Sequence, residues 1–122
     1  MSDLLLTGLT VLIAEDDPLI AMELEDLLTD YGATCLAPVG SISSALTLIA
    51  ASRFDVALLD VNLRGERIDP VADCLATVGT PFLFTTGYGE DGLPSAHRHR
   101  PVIAKPFSAS AIVSALARHR PS

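Results

Sequence analysis

Apolar residues along this chain come in short unbroken runs that alternate with longer stretches where they recur every three or four positions. Thr10 to Ala14 is apolar and partly β-branched, and it stops at Glu15-Asp16-Asp17-Pro18, the pattern of a buried strand followed by a helix start. Pro18 suits the first helical position and leaves Asp17 as the N-cap. Ile20, Leu24, Leu27, Leu28 and Tyr31 then fall at helical spacing, with Gly32 placed to end the helix. The unit repeats. Thr34 to Ala37 reads as a second strand, and Ser41 caps a helix whose Ile42, Ala45, Leu46 and Ile49 share one face. Asp55 to Asp60 is the third strand. After a loop from Val61 to Arg67, Asp69-Pro70 restarts a helix with Val71, Leu75 and Val78 as its apolar positions, and Pro81 to Thr86 forms the fourth strand. Pro101 to Ala104 supplies the fifth. Ser108 then caps a last helix with Ile112, Val113, Leu116 and Ala117 inward and Arg118, His119 and Arg120 near its negative end.

Strands that are apolar throughout, rather than alternating, are buried on both faces. The pattern therefore predicts an α/β fold, a doubly wound open parallel five-stranded sheet with helices on both faces; a barrel would need eight such units. One unit is poor. Where a fourth helix belongs, Tyr88 to Arg100 holds Gly89, Gly92, Pro94 and His97-Arg98-His99-Arg100 with few apolar anchors, so this helix is expected to be short, irregular or mobile. Its histidines alternate with arginines, whose charge discourages a metal cation, and a solvated loop is the expected state.

The 122 residues fit one domain, 1–122, enclosing a real core. Hydrophobic residues make up 49% of the chain and mean hydropathy is +0.43, but every apolar run is far shorter than the ~20 residues a membrane helix needs. The N-terminus lacks the basic region of a signal peptide, so a cytoplasmic protein is expected. Met1 and an ending just past the last helix are what a complete small protein would show. A formal net charge of −7 repels nucleic acid and anionic membrane, so direct binding to either is not expected. Cys35 and Cys74 match no metal or redox spacing and read as small buried apolar residues.

In an open α/β sheet, ligands bind outside the carboxyl ends of the strands. Charged and hydroxyl residues gather there: Glu15 and Asp16 after the first strand, Asp60 at the end of the third, Thr86 at the end of the fourth and Lys105 after the fifth. Carboxylates about 5 Å apart repel by roughly 3 kcal/mol at an effective dielectric near 20, so the cluster calls for a cation. With oxygen ligands alone on offer, a hard ion is favoured, and Mg²⁺ is the common one in phosphoryl-transfer sites. One carboxylate can then act as nucleophile toward phosphorus while the ion and Lys105 neutralise charge on the transferring group, and Thr86 can hydrogen-bond a phosphoryl oxygen.

Taken together, Val11-Leu12-Ile13-Ala14-Glu15-Asp16-Asp17-Pro18, Leu58-Leu59-Asp60-Val61-Asn62-Leu63, Thr86-Gly87 and Lys105-Pro106-Phe107 resemble the response-regulator receiver family of two-component signalling over essentially the whole chain. The resemblance implies a flavodoxin-like strand order 2-1-3-4-5. It implies Asp60 as phospho-acceptor, Asp16 as a direct Mg²⁺ ligand, Glu15 as a water-mediated one and the main-chain carbonyl of Asn62 as a further contact. Thr86 would be the switch hydroxyl, Lys105 the phosphoryl-binding lysine, and the Lys105-Pro106 peptide is commonly cis in the family. Where receivers usually carry an aromatic three positions before the lysine, this chain has Val102, which removes the usual threonine–aromatic coupling. Pro81 to Tyr88 resembles instead the PFxFATGY strand motif of a subgroup associated with HWE-type histidine kinases, with Thr85 replacing the alanine.

The implied function is a stand-alone receiver that accepts phosphate from a sensor histidine kinase of the HWE type, has no enzyme activity beyond its own phosphorylation and dephosphorylation, and signals by protein contact or serves as a phosphate sink. The family allows a monomer or a weak homodimer. An alternative of another class is a pseudo-receiver, a binding module that works without phosphorylation, favoured by Glu15 in place of the usual first aspartate and by Val102. A small phosphatase is a weaker third reading, because the position two beyond Asp60 is Asn62 and not a second acid.

Overall fold

The computed structural model describes residues 4–87 and 93–120. Five parallel strands form the sheet: β1 (Thr10–Ala14), β2 (Thr34–Cys35), β3 (Val56–Asp60), β6 (Phe82–Thr86) and β7 (Val102–Ala104), in the order β2-β1-β3-β6-β7. Between β3 and the third helix lie two short strands, β4 (Asn62–Leu63) and β5 (Glu66–Arg67), paired as an antiparallel hairpin. Without that hairpin the order is the expected 2-1-3-4-5. The register steps evenly, with Leu12 opposite Ala57, Ala57 opposite Phe82 and Phe84 opposite Val102.

Alternation along the fully buried strands divides the core into two layers. Val11 and Ile13 of β1, Val56 and Leu58 of β3, and Leu83 of β6 pack under α1 (Pro18–Asp30) and α4 (Ala109–Ala117), against Leu24, Leu28, Ile112 and Leu116. Leu12, Ala57, Leu59, Phe82 and Phe84 face the other way, toward α2 (Ile42–Ala51) and α3 (Asp69–Val78), where Ala45, Val71, Ala72 and Leu75 meet them. Full burial of a Leu, Ile, Val or Phe contributes roughly 1.5–3 kcal/mol each, so the two layers fix the sheet and leave the strand ends as the polar surface.

The helix starts follow the sequence. The Asp17 carboxylate accepts from the Leu19 and Ile20 amides, Ser41 Oγ from Ser44 N and Ser108 Oγ from Ala111 N. Gly32 takes a left-handed φ of 99°, and a side chain there would strike Thr7 Oγ1 at 2.6 Å.

Several expectations are corrected. The loop from Val61 to Arg67 contains the β4–β5 hairpin, because Arg64 (φ 52°) and Gly65 (φ 81°) form the left-handed pair that a tight hairpin turn needs. Val78 lies exposed near the end of α3, where Ala72 takes the inward place. Both cysteines are free and only half-buried. The N-terminal apolar stretch is structural: Leu6 and Leu9 are fully buried, and Leu6 N donates to Tyr31 O at 2.8 Å.

In place of a fourth long helix there is one 3₁₀ turn, Ser95–His97; the expectation for Tyr88 to Gly92 lies outside the described residues. The described part is not a solvated loop. His97 is buried, its Nε2 lies 2.8 Å from Asp73 Oδ1 on α3, and its ring meets Phe82 edge-on at 5.4 Å. Arg100 stacks its guanidinium over the Phe82 ring, 4.2 Å from the ring centroid.

Candidate functional site

The six sequence-derived site residues, Glu15, Asp16, Asp60, Asn62, Thr86 and Lys105, all line one open pocket of about 600 Å³ at the carboxyl end of the sheet. Each arrives there because its strand stops there. Glu15 and Asp16 follow β1, Asp60 and Thr86 are the last residues of β3 and β6, Asn62 opens β4, and Lys105 directly follows β7 and is itself followed by the cis Lys105-Pro106 peptide. A groove of about 660 Å³ opens at the opposite end, near Phe54 and Cys74, but its charged lining is Arg53 and Asp55, and Asp55 Oδ2 is occupied by the Thr10 amide at 2.7 Å. The chemistry is concentrated in the first pocket.

Lys105 is the fixed cation of the site. Its Nζ donates to Asp60 Oδ2 at 2.8 Å and lies 2.7 Å from Glu15 Oε1. The second contact is an ion pair by distance, but its angle is not that of a hydrogen bond, so Glu15 Oε1 is a buried acceptor without a hydrogen-bond partner among the described residues. Burial opposes charge on Lys105, yet the hydrogen bond to Asp60 and the charge of the adjacent Asp60 and Glu15 carboxylates outweigh it and hold the ammonium above its ordinary pKa. Glu15 Oε2 accepts from Asp17 N at 3.0 Å and Asp60 Oδ1 from Asn62 N at 3.1 Å.

Burial lifts the Glu15 carboxyl from 4.5 to about 7, with the neighbouring Asp60 adding to the rise and Lys105 and the Asp17 amide opposing it. Asp16 behaves oppositely. Its slight burial is outweighed by hydrogen bonds, chiefly from the Arg64 amide, and its pKa falls below the ordinary value.

Carboxylate oxygens of Glu15, Asp16 and Asp60 all lie within 4.8 Å of one another. One lysine cannot neutralise three such groups, and Glu15 Oε1, ion-paired but accepting no hydrogen bond among the described residues, has a lone pair to offer. The donor set, oxygen throughout, suits a hard divalent ion of the Mg²⁺ type.

Thr86 is buried at the pocket floor, and its carbonyl accepts from Lys105 N at 2.9 Å, so strand pairing ties the hydroxyl-bearing and lysine-bearing ends together. Two contributors escaped the reading of the sequence: the Arg64 amide, which donates to Asp16 Oδ2 at 2.9 Å, and the Asp17 amide on Glu15. The Arg64-Gly65 pair was the available turn signal; backbone donors leave no signature of their own.

Residues 11–117 match the response regulator receiver domain family. The regulator PhyR of Methylorubrum extorquens is 36% identical over 112 residues, covering 85% of this chain and 42% of that protein. The chain spans about half the length of the curated relatives it matches. Among solved structures, the solution structure of SdrG from Sphingomonas melonis Fr1 is 45% identical with a TM-score of 0.81, covering 93% of this chain and 95% of that one. The BeF3-activated conformation of SdrG is 43% identical with a TM-score of 0.76, covering 96% and 97%.

Proposed function

The chain belongs to the response-regulator receiver family of two-component signalling, and from that premise we propose that Asp60 accepts a phosphoryl group from a histidine kinase and later loses it to water. The observation that carries the reading is the convergence of Glu15, Asp16, Asp60, Asn62, Thr86 and Lys105 on one pocket. Asp60 is the acceptor because it is central, with Lys105 on Oδ2 and the Asn62 amide on Oδ1, so both oxygens are oriented and each can be aimed at phosphorus. In the transfer an Asp60 Oδ–P bond forms and the P–N bond of a phosphohistidine breaks, the imidazole keeping the electron pair and taking a proton.

Glu15, Asp16, Asp60 and the Asn62 carbonyl would hold Mg²⁺, which supplies positive charge at the phosphoryl oxygens. Lys105 neutralises the opposite side of the transferring group. Thr86 is placed to bond a phosphoryl oxygen, and its movement would reach β7 through the Lys105 amide. The Pro81-Phe82-Leu83-Phe84-Thr85-Thr86-Gly87 strand supports a kinase of the HWE type as donor, and the excess of acidic charge supports an output through protein contact. Against the pseudo-receiver alternative, Glu15 reaches Lys105 despite its longer side chain, so the acidic set is not weakened at its substituted position.

Incubation with acetyl phosphate and Mg²⁺, followed by intact-protein mass spectrometry, tests the reading. One labile phosphoryl group per chain is expected, absent from Asp60→Asn and from samples treated with a chelator. Equal labelling of Asp60→Asn would remove Asp60 from its role.

A further inference from the structure

Two of the hydrogen bonds on the pocket's carboxylates come from the backbone of the β4–β5 hairpin. Asn62 N–H holds Asp60 Oδ1 at 3.1 Å, and Arg64 N–H, two residues on, holds Asp16 Oδ2 at 2.9 Å. These acids lie at the ends of different strands, Asp16 just after β1 and Asp60 at the end of β3. The hairpin is therefore a bridge between them, and its own geometry determines how far apart they are held.

The bridge is built to be stiff. Arg64 and Gly65 take left-handed φ values of 52° and 81°, and the Asn62 side chain closes the turn by accepting from Gly65 N at 2.8 Å. An arginine at positive φ is costly where glycine would fit freely, but its side chain has a use. It runs back toward Gly40, where an added Cβ would lie 3.5 Å from the guanidinium and 3.4 Å from Asp16 Cα, so the arginine lies beside the Glu15–Asp16 backbone with space for about one methyl group between them. Below the turn, Leu63 is fully buried, Val61 N donates to Thr85 O and Ile68 N to Val61 O, mounting the hairpin on the sheet.

We infer that the β4–β5 hairpin is a positioning clamp that sets the separation of Asp16 and Asp60, and so the affinity of the pocket for a divalent cation, with the Asn62 side chain as its latch. The inference deepens the proposed function and rests on the cation site in that reading. Groups that orient metal ligands typically change metal affinity by about 10–100-fold when removed, and the clamp acts through Asp16 and Asp60 without offering a side-chain ligand of its own.

Calorimetric titration of the whole chain with Mg²⁺, paired with hydrogen exchange at the Arg64 amide, tests it. Asn62→Ala, which keeps every backbone donor but opens the latch, is expected to exchange faster at Arg64 and to bind Mg²⁺ roughly tenfold more weakly. Ile112→Val, a core change on the buried face of α4, should lower the melting temperature and leave the affinity unaltered, which separates positioning from general loss of stability. If Asn62→Ala does not fold, Gly65→Ala replaces it: its Cβ would meet nothing within 4 Å, so backbone strain in the turn is the sole change. Affinity of the latch variant within about twofold of wild type overturns the clamp alone. A wild-type chain that binds no divalent cation overturns the reading beneath it, and the clamp with it.

Discussion

The pocket at the carboxyl end of the sheet and the segment from Leu93 to Arg100 lie at the ends of the same strand, β6, or just beyond it, yet they are held by different physics. In the pocket, charges converge: Lys105 sits within 2.8 Å of two carboxylates, and a third lies close by. In the segment, aromatic packing dominates. Phe82 takes the His97 ring at its edge and the Arg100 guanidinium at 4.2 Å, and Asp73 adds one hydrogen bond whose carboxylate is itself mostly exposed. Electrostatic sites are sensitive to every added charge, whereas a packed anchor is sensitive to shape. A phosphoryl group, being almost pure charge, should therefore act on the first region directly and on the second only through β6.

Removing Lys105 breaks this contrast most severely. Lys105→Ala leaves three carboxylates with no fixed cation, and loss of one preorganised electrostatic partner commonly lowers a rate by about 10²–10³-fold. The initial rate of labelling by acetyl phosphate at saturating Mg²⁺ is expected to fall by that order. Hydrogen exchange at His97 should stay as in the wild type, since among the described residues Lys105 bonds to Asp60, Glu15 and Thr86 and not to the segment. Matching disturbance of both regions would show that they are one unit.

The next effect is on pH. Glu15 in the folded chain titrates near 7 against an ordinary value of 4.5, so between those values the folded chain binds more protons than the unfolded one. The Glu15 contribution to the stability of the metal-free protein must then fall as pH rises from about 4.5 to about 7, by at most about 3 kcal/mol, while His119, whose pKa burial lowers, works in the opposite direction. Chelator-treated protein melted across that range should show the decline; Glu15→Gln should flatten it, and Mg²⁺ should reverse it by favouring the charged carboxylate. A Glu15→Gln profile parallel to that of the metal-free wild type over the same window would mean that Glu15 is not held protonated by burial.

These two regions also differ in how legible they were in the sequence. Strand ends that carry Glu15-Asp16, Asp60, Thr86 and Lys105 can be read because burial forces each apolar run to stop where the polar pocket begins. The Ser41, Ser108 and Asp17 caps are legible for the same local reason. The turn at Arg64-Gly65 was not read, because an arginine at positive φ runs against its own preference and is stabilised by Gly40 and Asp16, 24 and 48 positions away. His97 was misread for a related reason: alternating His and Arg suggest solvent, and only the placement of Phe82 and Asp73 shows that the ring has a wall and a hydrogen-bond partner.

His97→Ala removes that anchor while leaving the pocket's charges alone. Loss of the aromatic contact and of the bond to Asp73 should cost about 1–2 kcal/mol locally, visible as faster hydrogen exchange from Leu93 to Arg100. Labelling at Asp60 should change by less than about threefold, since a surface rearrangement of about 0.6 kcal/mol corresponds to that ratio. A much larger loss of labelling would place the anchor inside the chemistry.

The smallest effect belongs to Arg100, and it is the one that resolves how the segment is held. Its guanidinium covers the Phe82 face, and its Nε is buried without a hydrogen-bond partner among the described residues. If attraction to the ring compensates for that donor, Arg100→Lys should lose about 0.5–1 kcal/mol of local stability, because a compact ammonium cannot stack as a plane. Arg100→Met keeps much of the apolar cover and discards the charge. Comparing the two by hydrogen exchange across residues 93–100 separates the contributions: a methionine variant as well protected as wild type would mean that shape alone pins the segment. Weaker protection in both would show that planar charge over Phe82 is what pins the segment.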